Sequence, residues 1–203
     1  TGKTTFIKKI VHGNPGISLS PSVKIGYFSQ KIDTLELDKS ILENVQSSSQ
    51  QNETLIRTIL ARMHFFRDDV YKPINVLSGG ERVKVALTKV FLSEVNTLVL
   101  DEPTNFLDME AIEAFESLLK EYNGSIIFVS HDRKFIEKVA TRIMTIDNKE
   151  IKIFDGTYEQ FKQAEKPTRN IKEDKKLLLE TKITEVLSRL SIEPSEELEQ
   201  EFQ

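Results

Sequence analysis

Two short stretches carry the side chains best suited to chemistry. Residues 77–81 read Leu77-Ser78-Gly79-Gly80-Glu81, and residues 97–103 read Thr-Leu-Val-Leu followed by Asp101-Glu102-Pro103. The first is a Ser-Gly-Gly turn opening a helix. Its glycines let an anion approach the backbone, and the helix presents its positive end. The second is an apolar strand that ends in adjacent carboxylates, of which one can hold Mg²⁺ while the next activates water. In that order, and roughly twenty residues apart, the two stretches point to nucleotide hydrolysis.

A third stretch, Gly2-Lys3-Thr4-Thr5, is the tail of the pattern G-x-x-x-x-G-K-[ST]. Backbone N–H groups of that loop cradle phosphates at a helix N-terminus, with Lys3 reaching the β- and γ-phosphates and the Thr4 hydroxyl on Mg²⁺. Alone, so short a motif reads equally as a solvated terminus. Gln30 ends a strand over 23–29, and His131 directly follows a strand over 125–130. Ser130-His131-Asp132 cannot be a hydrolase triad, because three adjacent residues do not converge through space. Plainer roles remain open for the others. Asp101 can cap the turn before Pro103, His131 can be a surface side chain beside a helix-capping Asp132, and Ser78 can simply cap a helix. Asp108 is equally an N-cap for the helix that follows it. His12 and His64 lack any partnering pattern.

These residues need a scaffold. Phe6, Ile7, Ile10 and Val11 give a helix over 1–11, stopped by the cluster His12-Gly13-Asn14-Pro15-Gly16. After the strand at 23–29, residues 35–76 read as mostly helical and amphipathic in two halves, one with Ile41, Leu42 and Val45, the other with Leu55, Ile56, Ile59, Leu60 and Met63. A polar loop over 46–52 separates them. A helix over 79–93, a buried strand over 97–100, a helix over 109–122 closed by Asn123-Gly124, a strand over 125–130 and a helix containing 135–140 follow in turn. Residues 142–146 and 151–154 read as a hairpin. Strands alternating with helices predict an α/β fold with a parallel sheet covered on both faces.

Composition sets limits. The chain has 203 residues, 38% hydrophobic and 30% charged, enough for one α/β domain and an appendage. It has no cysteine, which excludes disulfide and thiolate chemistry. No apolar run approaches the ~18–20 residues of a membrane span, and no signal peptide is visible. A net charge of −4 argues against a broadly basic nucleic-acid surface while leaving room for a local patch. The first residue is Thr1, so the chain is expected to be a fragment, with the opening glycines of the phosphate loop and the strand before it lying upstream. As such it is expected to be a poor ATPase by itself. From about Tyr158 the composition shifts. Residues 162–182 are rich in Lys and Arg, 192–203 are acidic, and Pro167 and Pro194 bracket a charged, solvated helix over about 171–190.

The motifs together resemble the nucleotide-binding domain of an ABC ATPase, a P-loop NTPase with a helical subdomain, here at about 35–92. The resemblance implies ATP and Mg²⁺ as cofactors, with Gly2, Lys3, Thr4 and Thr5 in the phosphate loop. It implies that Asp101, with Thr4 and Gln30, holds Mg²⁺ and that Glu102 polarises the attacking water. His131 would contact the γ-phosphate, and Gln30 would touch metal and water while linking the sheet to the helical subdomain. Ser78, Gly79, Gly80 and Glu81 would serve ATP bound by a different domain, and Phe106-Leu107-Asp108 would cross the interface with it.

Three details are similar to the ABC-F group: Asp101-Glu102-Pro103-Thr104-Asn105 with Leu107-Asp108, the run Asp155-Gly156-Thr157-Tyr158-Glu159-Gln160-Phe161, and the compact segment between Gln30 and the Ser-Gly-Gly turn. Phe106 departs from the group, where many members have His. ABC-F proteins carry two ATPase domains in one soluble chain and act on ribosomes. Residues beyond 165 resemble the C-terminal extension of Vga-type resistance members, which protect ribosomes from streptogramin A, lincosamides and pleuromutilins. The resemblance therefore implies most of the second ATP-binding domain of such a protein over 1–160, an extension over 161–203, a cytoplasmic location, and as partners the other ABC domain of the same full-length chain and the ribosome, both rRNA and proteins. The alternatives are the ATPase subunit of a membrane transporter, which shares all these residues, and a housekeeping translation factor of the same group.

Overall fold

In the computed structural model, which describes residues 2–14, 16–29, 34–147, 150–165, 179 and 181–182, three strands form a parallel sheet. They are β1 (Ile25–Phe28), β2 (Thr97–Asp101) and β3 (Ser125–Val129), in the order β1-β2-β3. Ile25 lies opposite Thr97, and Asp101 lies opposite Val129. Central β2 is buried from Leu98 to Asp101, which is why its sequence is a continuous apolar run rather than an alternating one. The pleat sends its side chains to two covers. Val99 faces the side of α1 (Lys3–Val11), whose Ile7 and Ile10 are buried. Leu98 and Leu100 join Phe28 in the main core.

That core is closed by α4 (Gly79–Phe91), α5 (Met109–Glu121) and α6 (Arg133–Val139) through Val83, Leu87, Phe115, Leu118, Leu119 and Phe135. Phe135 has no exposed surface, meets Phe128 edge-on at 5.2 Å and stacks on Phe115 at 6.5 Å. Truncating it leaves a cavity under the end of β3. We expect Phe135→Ala to cost about 3–5 kcal/mol, roughly 10 °C in Tm. A fall of under about 2 °C would mean that the aromatic stack does not hold α6 to the sheet.

The helical segment is more broken than its hydrophobic pattern suggests. Only α2 (Ile41–Gln46) and α3 (Glu53–Arg62) are α-helical, capped by the side chains of Ser40 and Asn52. Short 3-10 turns follow at Arg67–Tyr71 and Ile74–Val76. The break has a backbone cause: His64 and Arg67 adopt left-handed conformations, with φ of 68° and 48°, which no α-helix accommodates. Leu55, read as an inward residue, is exposed. These pieces pack on one another and on α4, which carries them onto β1.

Gly124 also differs from expectation. Helix α5 ends at an extended Tyr122, and Gly124 is not among the glycines with positive φ, so it is no left-handed cap. It is required by crowding. A Cβ there would sit 2.4 Å from the Tyr122 ring and 2.5 Å from the Asn96 carbonyl.

Beyond α6, β4 (Arg142–Asp147) and β5 (Glu150–Asp155) pair antiparallel, with Ile143 opposite Phe154. The chain divides into two compact units, Thr1–Tyr158 and Glu159–Gln203. A short helix α7 (Tyr158–Glu165), not anticipated from sequence, begins at that division. The helix read over about 171–190 lies outside the described residues except at Leu179, Thr181 and Lys182, which are helical. Among the described residues no strand pairs with the far side of β3, and its Ile126, Ile127, Phe128 and Val129 are only half-buried.

Candidate functional site

The C-terminal end of β2 gathers side chains from distant parts of the chain. Asp101, 4% exposed, accepts a hydrogen bond from the Thr4 hydroxyl at 3.0 Å across 97 residues of sequence. Thr4 reaches it because α1 lies against β2 and begins at Gly2, held left-handed at φ 75°. No side chain caps that helix start, so its first N–H groups are free to meet an anion. Lys3, half-buried, and exposed Thr5 stand in the same turn.

The pair Thr4–Asp101 offers two hard oxygens on one spot. Among the described residues no three His, Cys, Asp or Glu side chains converge on a metal position. That donor set suits Mg²⁺, which takes one or two protein oxygens and completes its shell with water and substrate phosphates. Gln30 lies outside the described residues.

Glu102 turns out of β2 with φ 52°, a left-handed conformation that costs free energy for any residue with a Cβ. Its N–H still donates to the Val129 carbonyl at 2.9 Å. The turn brings the carboxylate over the end of β3. There Oε2 accepts from the His131 N–H at 3.2 Å, and Oε1 lies 3.4 Å from His131 Nε2. The Glu102 side chain is 14% exposed and that of His131 75%. A nearly dry carboxylate held on one side, with an imidazole at the solvent edge, can accept a proton from a water placed between them.

The turn is fastened from beneath by two residues to which the sequence assigns no role of their own. Thr104 and Ser130, both buried, place their hydroxyls 3.4 Å apart. Ser130 Oγ also accepts from the Asp132 N–H at 3.0 Å, while Asp132 Oδ1 caps α6 by accepting from Lys134 and Phe135 N–H. The available signal was hydroxyl residues immediately beside the carboxylate and histidine motifs. Tyr27 was missed too. It stands on the Asp101 face of the sheet, and its buried hydroxyl has no partner among the described residues. Burial, and the charge of Asp101 after it, push its pKa up.

The Ser-Gly-Gly turn is built as a reciprocal cap. Ser78 Oγ accepts from the Glu81 N–H at 3.3 Å, and Glu81 Oε2 accepts from the Ser78 N–H at 2.8 Å and its hydroxyl at 2.7 Å. The Ser78 hydroxyl and N–H hold the Glu81 carboxyl below its usual range. Gly79 faces open space, whereas a Cβ on Gly80 would meet the Phe106 carbonyl at 2.8 Å. Phe106 is itself left-handed at φ 67°, and the residue is 71% exposed. Asp108 caps α5 through the Ala111 N–H at 2.7 Å. Among the described residues no hydrogen bond or ion pair joins Ser78, Gly79, Gly80 or Glu81 to Thr4, Asp101, Glu102 or His131. The structure therefore forms two separate clusters.

A parallel sheet whose central strand ends in paired carboxylates, with a Gly-Lys-Thr helix start against them, defines a P-loop NTPase fold of the ABC type. The family model described as ABC transporter matches residues 1–105, and the chain belongs to that family as an ATP-binding domain, a class whose members are generally ATPases. It is 38% identical over 167 residues to the probable ATP-binding protein YbiT of Escherichia coli O157:H7, covering 79% of this chain and 32% of the relative. It is 34% identical over 194 residues to the ribosome protection protein VmlR of Bacillus subtilis, covering 94% and 34%. It is 38% identical over 141 residues to the erythromycin resistance ATP-binding protein MsrA of Staphylococcus epidermidis, covering 70% and 29%. The chain thus spans about a third of the length of these curated relatives. Among solved structures, an RNase-L Inhibitor aligns with TM-score 0.65 at 23% identity, over 80% of this chain and 34% of that one. A dimeric ATP-binding cassette in a post-hydrolysis state, bound to ADP and Pi, aligns with TM-score 0.57 at 19% identity over 76% and 80%. Both support the fold. Among the described residues no helix is long and apolar enough to cross a membrane.

Proposed function

We propose that this chain is an ATP-binding and ATP-hydrolysing domain of an ABC-F protein that acts on the ribosome and confers resistance to streptogramin A, lincosamide and pleuromutilin antibiotics. The domain extends over about 1–160 and the charged extension over 161–203. The observation that carries the reading is the grip of Glu102 on His131 beside the Thr4–Asp101 pair. Gly2, Lys3 and the first N–H groups of α1 bind the phosphates. Thr4 and Asp101, with Gln30, hold Mg²⁺, which when bound neutralises charge on the phosphate oxygens. Glu102 takes a proton from water as the water oxygen bonds to the γ-phosphorus and the bond to the ADP oxygen breaks. His131 keeps the carboxylate aimed at that water. The Ser78–Glu81 cluster, separate from these residues, serves ATP held by a second ABC domain of the same chain.

The ribosomal part rests on the company the chain keeps: relatives named for ribosome protection and for erythromycin resistance. The test is co-sedimentation with 70S ribosomes of the protein expressed from its full reading frame, carrying Glu102→Gln to retain ATP. We expect it to pellet with ribosomes in MgATP and to stay in the supernatant in ADP. Nucleotide-independent recovery with membranes and none with ribosomes would favour a transporter subunit and end the ribosomal reading. A susceptibility test of a strain expressing the wild-type frame separates resistance from a housekeeping role in translation.

A further inference from the structure

Among the described residues one buried side-chain polar atom has no hydrogen-bond partner, the hydroxyl oxygen of Tyr27 on β1. Tyr27 as a whole is only half-buried. A tyrosine so placed ordinarily packs its ring and shows its polar tip to water. Here the tip is the part sealed from solvent. Tyr122, just past α5, shows the usual arrangement for an inward hydroxyl, donating to the Val95 carbonyl at 2.9 Å. A buried hydroxyl that has given up water and found no partner is unfavourable, and a phenylalanine ring would fill the same space without that loss.

The sheet register says what lies near it. Tyr27 pairs with Val99 across the parallel ladder, and Asp101 follows two residues along β2 on the same face. With a rise of ~3.3 Å per residue and strands ~4.8 Å apart, the two Cα atoms are about 8 Å from one another, a gap that aromatic side chains bridge. Burial, and after it the Asp101 charge, push the phenol pKa up, so the group is neutral and keeps a proton to donate. Asp101 has an oxygen left to receive it. Its Oδ1 accepts from the Thr4 hydroxyl at 3.0 Å, and no donor among the described residues is bonded to Oδ2.

Three elements therefore converge on one carboxylate: α1 through Thr4, β2 through Asp101 itself, and β1 through Tyr27. A carboxylate gripped by one oxygen can still turn about its last bond. A second donor on the other oxygen stops that rotation and leaves lone pairs free for an ion. Groups that orient a metal ligand in this way raise the affinity of the site.

We propose that Tyr27 is a positioning residue of the metal site, its hydroxyl donating to Asp101 Oδ2 when Thr4 and Asp101 hold a divalent cation, so that the carboxylate plane is fixed toward the ion. The inference rests on the reading of Thr4 and Asp101 as Mg²⁺ ligands given above.

The experiment uses the protein from its full reading frame and a fluorescent, non-hydrolysable ATP analogue. Its affinity is measured in EDTA and across a Mg²⁺ titration, and Tm is measured in EDTA. In Tyr27→Phe we expect the half-saturating Mg²⁺ concentration to rise by about tenfold or more, with affinity in EDTA within about twofold of wild type and full affinity regained in excess Mg²⁺. The Tm in EDTA should equal that of wild type or exceed it, because the hydroxyl removed has no partner. An unchanged Mg²⁺ midpoint would overturn this inference alone. So would a Tm in EDTA lower by more than about 3 °C, which would mean that the hydroxyl is already bonded in the cation-free protein. Asp101→Asn should lose the response to Mg²⁺. If it responds as wild type does, or if wild type shows no response, the metal reading falls and this inference with it.

Discussion

Glu102→Gln should abolish turnover while leaving ATP bound. The amide has nearly the shape of the carboxylate and can still accept from the His131 N–H, whose bond to Oε2 measures 3.2 Å, so the turn out of β2 should survive. What the amide cannot do is take a proton. Loss of a general base typically lowers a rate ~10²–10⁴-fold, and phosphoryl transfer, which depends on a positioned water, should show the upper part of that range. Thr4, Asp101 and Lys3 remain, so MgATP affinity should be retained. The measurement is phosphate release under saturating ATP beside equilibrium binding of a labelled nucleotide. Turnover at the wild-type rate would remove Glu102 from the role given to it.

The second large effect is expected at Gly79. No atom lies within 4 Å of a Cβ placed there, and the residue does not need a positive φ, so Gly79→Asp should fold. A carboxylate on the first turn of α4 should even raise Tm slightly, because it sits at the positive end of the helix. The same charge must repel a phosphate brought to that helix end. Losing one preorganised donor at a reacting group costs about 10²–10³-fold, and replacing it with a like charge should cost no less. Hydrolysis should therefore fall by at least about 10²-fold while nucleotide binding at Gly2–Thr5 persists. Gly80→Ala would be a poor substitute, because its methyl meets the Phe106 carbonyl at 2.8 Å and lost activity there would confuse folding with chemistry. If Gly79→Asp eliminated binding at the chain's own phosphate loop, the assignment of the Ser78 cluster to a partner's ATP would have to be withdrawn.

What the sequence disclosed and what it hid divide along the range of the interaction. The capping box at Ser78 and Glu81, the N-cap at Asp132, the apolar run of β2 and the hairpin at β4–β5 are local, and each leaves a local trace. Features set by contacts across the chain leave almost none. Gly124 looked like a helix cap and is instead a passage between Tyr122 and Asn96. Thr104 and Ser130 read as ordinary polar residues until the sheet brings their hydroxyls together. The interruption of the 35–76 region is fixed by the backbone at His64 and Arg67, neither of them the glycine that marks a left-handed turn in a sequence. In the candidate site, Thr4 and Asp101 were both readable as metal-facing from their motifs. Their separation of 3.0 Å depends on how α1 crosses β2, which no spacing encodes.

The backbone at Glu102 has a further consequence, for how such a domain drifts over generations. At φ 52° the position favours glycine over any residue with a Cβ, by an amount on the order of 1 kcal/mol. A single base change converts a glutamate codon to a glycine codon. Replacement by glycine at this site therefore relieves backbone strain, whereas the other single-base replacements keep a Cβ and the strain with it. Against that relief stand the demand for turnover and the bond that the carboxylate accepts from the His131 N–H. A lineage released from that demand has a short, stabilising route to a domain that binds ATP and does not spend it, and degenerate sites of that kind should arise here before they arise at Asp101, where burial and the bond from Thr4 make every replacement costly.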